Sequence, residues 1–140
     1  RDFCEERDDC RLYTNLDHLT YWTLLSHATL IVGNSSSGIM EAASVLLPAV
    51  DIGERQRGRT RAANVLHVSA NQGEIIEAMG LAASDGFVSM IKGLQNPYGD
   101  GQASRRIVSG LLNAPEKKTL LEKKALSLGS NENTFIQKEL

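Results

Sequence analysis

Val32-Gly33-Asn34-Ser35-Ser36-Ser37-Gly38-Ile39-Met40-Glu41 is the stretch that decides the fold. It follows a short apolar run, Leu30-Ile31-Val32, and leads into residues of helix-forming composition, 41–47. A chain that leaves a strand at Gly33 and enters a helix near Ser36 to Gly38 builds a compact anion site. Its loop offers backbone N–H groups and three hydroxyls. The helix N-terminus adds about half a unit of positive charge. Phosphate is the ligand that such a loop suits best.

Outward from the loop, strands and helices alternate. Residues 29–32 read as a buried strand, 36–46 as a helix that Pro48 ends, and 49–52 as a second strand. Residues 53–61 form a polar, glycine-containing loop, and 64–68 a third strand. Upstream, 11–13 has strand composition. Residues 17–27 read as an amphipathic helix capped by Asn15 or Asp17, with Leu19, Trp22, Leu24 and Leu25 as its apolar residues. Downstream, a helix opens at Asn71 or Gln72 and runs to about Leu81, with Ile75, Ile76 and Met79 as its stripe. A short helix follows from Ser84-Asp85 to near Gly93. Asn96-Pro97-Tyr98-Gly99-Asp100-Gly101 is dense in turn residues. Residues 103–112 are helical, 116–126 have helix-forming composition, and a polar tail from Ser127 is expected to fray.

This alternation implies an α/β fold: a Rossmann-like parallel sheet with helices on both faces. Ligands of such sheets sit at the carboxyl ends of the strands. The loops after Val32 and after Ile52 both emerge there, so both should face one crevice.

Other readings of the serine loop fare worse. Gly33 and Gly38 have P-loop spacing, but Ile39-Met40 stands where Lys-Ser/Thr is required. A nucleophile elbow, G-x-S-x-G, fails because Ser37 occupies the last glycine position counted from Gly33. The plain rival is a serine-rich cap with no ligand. Glu41 is either a solvated glutamate near a helix start or a carboxylate that accepts both hydroxyls of a ribose. Gly53-Glu54-Arg55-Gln56-Arg57-Gly58-Arg59 packs three arginines and two glycines into one loop. Arginine forks bind phosphate bidentately, and glycines allow close backbone approach. Arg55, nearest the strand end, should point into the crevice, and Arg59 is next. His18, His27 and His67 read as structural, and no His/Cys cluster has metal-ligand spacing.

Composition narrows the class. The 140 residues suffice for one domain with a core. Fifteen Lys and Arg against 17 Asp and Glu, a net charge of −2, argue against nucleic acid as a partner. No apolar run approaches the roughly 18 residues needed to span a bilayer. Cys4 and Cys10 read as free thiols in a reducing, cytoplasmic compartment. The chain opens at Arg1 on the charged stretch Glu5-Glu6-Arg7-Asp8-Asp9, which reads as the middle of a longer protein.

Four segments together resemble the carboxyl-terminal half of the hydrolysing UDP-N-acetylglucosamine 2-epimerases. They are Val32 to Glu41 followed by Pro48, Gly53 to Arg59, Asn64-Val65-Leu66, and Asn96 to Gly101. The resemblance covers residues 11–113. It implies a glycosyltransferase-B-type pair of Rossmann-like domains, of which residues 1–115 would be the partial UDP-binding domain, its first strand missing, and 116–140 a helical or frayed tail. It implies UDP or UDP-N-acetylglucosamine as ligand, no cofactor, no metal, the protein's own amino-terminal domain as partner, and assembly of identical copies. By the same resemblance Ser35, Ser36, Ser37 and Gly38 would meet the diphosphate, Glu41 the ribose, and Arg55 with Arg59 the phosphate charge.

The family eliminates UDP, helped by removal of the C2 proton, and water then adds to release N-acetylmannosamine or a related 2-epimerised sugar. Much of the acid/base chemistry is expected from the amino-terminal domain, so no catalytic base is assigned here. The rivals are a non-catalytic nucleotide-sugar binding module and a non-hydrolysing UDP-sugar 2-epimerase, whose loop typically pairs glycines and glutamates. The triple serine and the Gly53–Arg59 loop favour the hydrolysing kind.

Overall fold

The computed structural model describes residues 2–122. They fall into two compact units, one ending at Gln102 and the other beginning at Ala103. The first unit is built on a three-stranded parallel sheet in the order β1 (Ile31–Gly33), β2 (Ala49–Ile52), β3 (Val65–Val68). Six helices belong to the α/β frame or follow it: α1 (Asp2–Glu5), α2 (His18–His27), α3 (Ser36–Met40), α4 (Gln72–Ala82), α5 (Asp85–Met90) and, in the second unit, α6 (Ala103–Leu112). The second unit also holds α7 (Lys117–Leu121).

β2 is the centre of the sheet, and successive residues on a strand face opposite sides. Ala49 joins Leu25 of α2, Ala42 and Leu47 on one face. Val50 meets Ala78 and Ala82 of α4 on the other. Helices therefore cover both faces, as the alternation predicts. Burying a valine side chain such as Val50 contributes about 1.5–3 kcal/mol. Asn64, fully buried, fixes the entry to β3: its Nδ2 donates to the Leu47 carbonyl at 2.7 Å and its own carbonyl accepts from Ala49 N–H at 2.8 Å.

Several sequence expectations need correction. Residues 11–13 form no strand. β1 begins at Ile31 rather than Thr29 and is the partly exposed edge of the sheet rather than a buried strand. The helix expected over 36–46 stops as an α-helix at Met40. It tightens to a 3-10 turn over Ala42–Val45, and Leu46 takes φ 54°. That left-handed residue turns the chain back so that Pro48 can lead into β2. On α2 only Leu25 is buried, and Leu19 lies in solvent. On α4 the buried residues are Ala78 and Ala82, while Ile76 and Met79 are exposed, because the small alanines let the helix backbone approach Val50. The expected helix over 116–126 is described only through Lys117–Leu121, and residues from 123 onward, including the tail from Ser127, lie outside the described residues. Among the described residues no helix is long and apolar enough to cross a membrane. Cys4 and Cys10 are free, and burial, then the neighbouring Cys4, push the Cys10 thiol above its usual range.

Two carboxylates tie local structure to pH. Asp17 caps α2, accepting Thr20 N–H at 3.1 Å and the Thr20 hydroxyl at 2.5 Å. The Thr20 hydroxyl, then its amide, hold the Asp17 carboxyl below the usual range. Glu74 is lowered in the same way by the Ser69 hydroxyl and amide. A depressed folded value means that the stabilisation is present above the ordinary carboxylate value of about 4 and is lost as pH falls through the folded one. Acidification is therefore expected to loosen the first turn of α2, read as faster amide exchange at Thr20. Asp17→Asn should keep a cap and remove that pH dependence. A Thr20 amide equally protected on both sides of the titration would refute this.

Candidate functional site

The two polar loops do converge. β1 ends at Gly33 with φ 145°, and Gly53, the residue that follows β2, has φ 73°. Glycine adopts both angles without the penalty that a Cβ would add. Beyond Gly53 a short 3-10 turn, Glu54–Gln56, lifts the second loop against the first. Gln56 is buried, and its Nε2 donates to the Asn34 carbonyl at 2.7 Å. Arg55 Nη1 reaches the same carbonyl at 3.5 Å and Asn34 Oδ1 at 3.4 Å. Those contacts are long enough that the guanidinium is held only loosely. Arg59, in the second loop, reaches across to α3, its Nη1 2.8 Å from Met40 Sδ.

The serines divide. Ser35 caps α3, its Oγ accepting Ser37 N–H at 3.3 Å, which leaves its own proton to donate. Ser36 is exposed beside it. Ser37 points inward instead: it is buried, receives the Tyr21 hydroxyl at 2.5 Å and donates to Glu41 Oε2 at 2.5 Å. Gly38 is also buried. A Cβ there would lie 3.7 Å from Ala49 Cβ and 3.8 Å from Ile31 Cγ2, so Gly38 serves the approach of α3 to the sheet. Glu41 stands at the end of α3, four residues after Ser37, partly exposed. With only five residues, α3 contributes less of a helix dipole than the longer helix expected from sequence.

Residues to which the sequence gives no site role complete the frame. Asp51, at the end of β2, is buried and accepts on Oδ2 from Arg61 Nε at 3.2 Å, Arg61 Nη2 at 2.9 Å and His67 Nδ1 at 3.1 Å. Arg61 is thereby committed to the fold, and Arg55 is not. Asn96 Nδ2 donates to the Met40 carbonyl and to Ser44 Oγ, each at 2.7 Å, and the Tyr98 hydroxyl donates to the Thr60 carbonyl at 3.0 Å. The Asn96–Gly101 turn thus ties α3 and the 3-10 turn after it to the second loop. The sequence does not show the partners of Tyr21, Gln56 or Asn96, because each acts across a long sequence separation. A cavity of about 60 Å³ lined by Gly33, Ser35, Gly38 and Asp51 lies beneath the loops. It is too small for a nucleotide, whose pockets run to about 300 Å³ or more, so a ligand would lie over the loops.

A family model described as UDP-N-acetylglucosamine 2-epimerase matches residues 1–112. The chain belongs to that family. It is 32% identical over 118 residues to the UDP-N,N'-diacetylbacillosamine 2-epimerase (hydrolyzing) of Legionella pneumophila, covering 84% of this chain and 30% of that protein. It is 30% identical over 96 residues to the polysialic acid biosynthesis protein P7 of Escherichia coli, covering 69% of this chain and 24% of that protein. It is 32% identical over 96 residues to the UDP-N-acetylglucosamine 2-epimerase of Neisseria meningitidis, covering 69% of this chain and 25% of that protein. The chain therefore spans between 24% and 30% of the length of these relatives. Among solved structures it resembles Methanocaldococcus jannaschii UDP-GlcNAc 2-epimerase in complex with UDP-GlcNAc and UDP. The TM-score is 0.61 at 20% identity, over 79% of this chain and 30% of that one. That likeness shows the fold: a Rossmann-like parallel sheet flanked by helices, as in a glycosyltransferase-B-type architecture.

Proposed function

We propose that this chain is the UDP-binding portion of a hydrolysing UDP-N-acetylglucosamine 2-epimerase. The observation that carries the reading is the contact of Arg55 and Gln56 with Asn34, which joins the two strand-end loops into one surface. The Ser35 and Ser36 hydroxyls and the Arg55 guanidinium would bind the diphosphate, with Arg59 adding charge nearby. Glu41 would accept the ribose hydroxyls. In the reaction the C2 proton and the UDP leaving group depart on opposite faces to give a 2-acetamidoglucal. Water then adds to release the epimerised free sugar. Negative charge develops on the β-phosphate as the bond to C1 breaks. Donors aimed at that phosphate therefore act on the transition state more than on bound substrate. The triple serine and the Gly53–Arg59 loop support the hydrolysing kind.

Titration with UDP and with uridine, followed by NMR, tests the ligand assignment. With most contacts to phosphate, UDP is expected to bind at about 0.1–1 mM and at least about tenfold tighter than uridine. Equal affinity for the two would overturn the phosphate role of the loop.

A further inference from the structure

Tyr21, Ser37 and Glu41 form a hydrogen-bonded chain that the anion-site reading does not use. The Tyr21 hydroxyl donates to Ser37 Oγ at 2.5 Å, and Ser37 Oγ donates to Glu41 Oε2 at 2.5 Å. The direction of the protons follows from the end of the chain. An ionised carboxylate only accepts, and a serine hydroxyl has one proton. Ser37 must therefore give its proton to Glu41 and take the one from Tyr21. Ser37 is 8% exposed, so water competes little for either bond. Hydrogen bonds in such a chain polarise one another and strengthen. The Tyr21 ring itself packs on the core cluster of Leu25, Ala42, Leu47 and Ala49, so the hydroxyl is delivered from a fixed position on α2.

We propose that Tyr21 is a positioning residue for nucleotide recognition: it commits the Ser37 proton to Glu41 and so fixes the carboxylate that takes the ribose diol. This assigns Ser37 to the support of Glu41 rather than to the diphosphate. It rests on the ribose reading of Glu41 given above. Oε2 is held by Ser37, and Oε1 has no partner among the described residues. A vicinal diol then meets one oriented oxygen with its lone pairs free, and a second that can still accept in addition to Ser37. Without the chain, Glu41 would sample several rotamers at a helix end and lose part of its affinity to ordering.

The test compares UDP with 2′,3′-dideoxy-UDP, which keeps the diphosphate and lacks the diol. Tyr21→Phe retains the ring packing, and Ser37→Ala removes the relay from its middle, so the test survives if either one folds poorly. Each is expected to weaken UDP binding about three- to tenfold, the range for one hydrogen bond. The double variant should lose no more than the worse single one, because both cut the same chain. Binding of 2′,3′-dideoxy-UDP should not change. Glu41→Gln serves as the reference and should show the same dependence on the diol. If Glu41→Gln is diol-dependent but Tyr21→Phe and Ser37→Ala are not, the relay is overturned and the ribose reading stands. If Ser37→Ala weakens both ligands equally, Ser37 is a phosphate ligand and the relay is overturned. If Glu41→Gln itself weakens both ligands equally, the ribose reading falls, and the proposal with it.

Discussion

Replacing Arg55 with alanine is expected to remove about 1.5–3 kcal/mol of UDP binding, roughly a ten- to 150-fold loss. Arg55 is exposed on the 3-10 turn beyond β2, and its contacts to Asn34 are 3.4 and 3.5 Å. A guanidinium held that loosely has little of its hydrogen-bonding capacity spent inside the protein. Its fork is therefore available to an incoming diphosphate at small cost. The loop will not collapse when it goes, because the tighter bond between the loops belongs to Gln56, at 2.7 Å to the Asn34 carbonyl. Thermal stability should therefore barely change. Calorimetry against UDP, paired with thermal denaturation, checks both halves. If Arg55→Ala lowers the melting temperature and leaves UDP affinity intact, the side chain is a structural strut and the anion site has been misplaced.

Arg61 makes the contrast clear, and it shows where sequence reading stops. Both arginines sit in one polar segment, and composition does not separate them. Arg61 is spent on Asp51, whose buried carboxylate also takes His67. That pairing spans two strands and could not be seen before the sheet was assembled. The local elements behaved differently. β2 was legible to the residue because Pro48 and Gly53 bracket a short run that is apolar but for Asp51. α2 and its Asp17 cap, and α4 with Asn71, followed from capping chemistry that acts over three residues. The helix after the serine loop was overextended, because helix-forming composition says nothing of the left-handed turn at Leu46 that tertiary packing imposes. The loop that faces the ligand was legible as a whole, yet its inner order was not. Ser37 and Gly38 read like Ser35 and Ser36 in sequence. Burial turns the first two toward the sheet and leaves the others outside.

The largest effect expected concerns chemistry. Purified alone, the 140-residue chain is expected to release no N-acetylmannosamine from UDP-N-acetylglucosamine, while a protein of the relatives' full length does. The C2 proton is weakly acidic, so removing it requires a base placed within hydrogen-bond reach in a closed, water-poor cleft. Glu41 is assigned to the ribose, and Asp51 is buried against Arg61 and His67, so neither is placed to take the C2 proton. The loops present an open surface over a cavity of about 60 Å³, and the chain spans 24–30% of the length of the three relatives described above. A second wall is needed for both the base and the exclusion of water. In the full-length protein, Glu41→Gln should raise the Michaelis constant and lower kcat/KM together, since a ribose contact persists from bound substrate to transition state. Arg55→Ala should also lower kcat, because the charge it meets grows as UDP departs. Product analysis would read the outcome as free sugar and UDP. Turnover by the isolated chain above background would place the base among these residues and overturn the division of labour between the two halves.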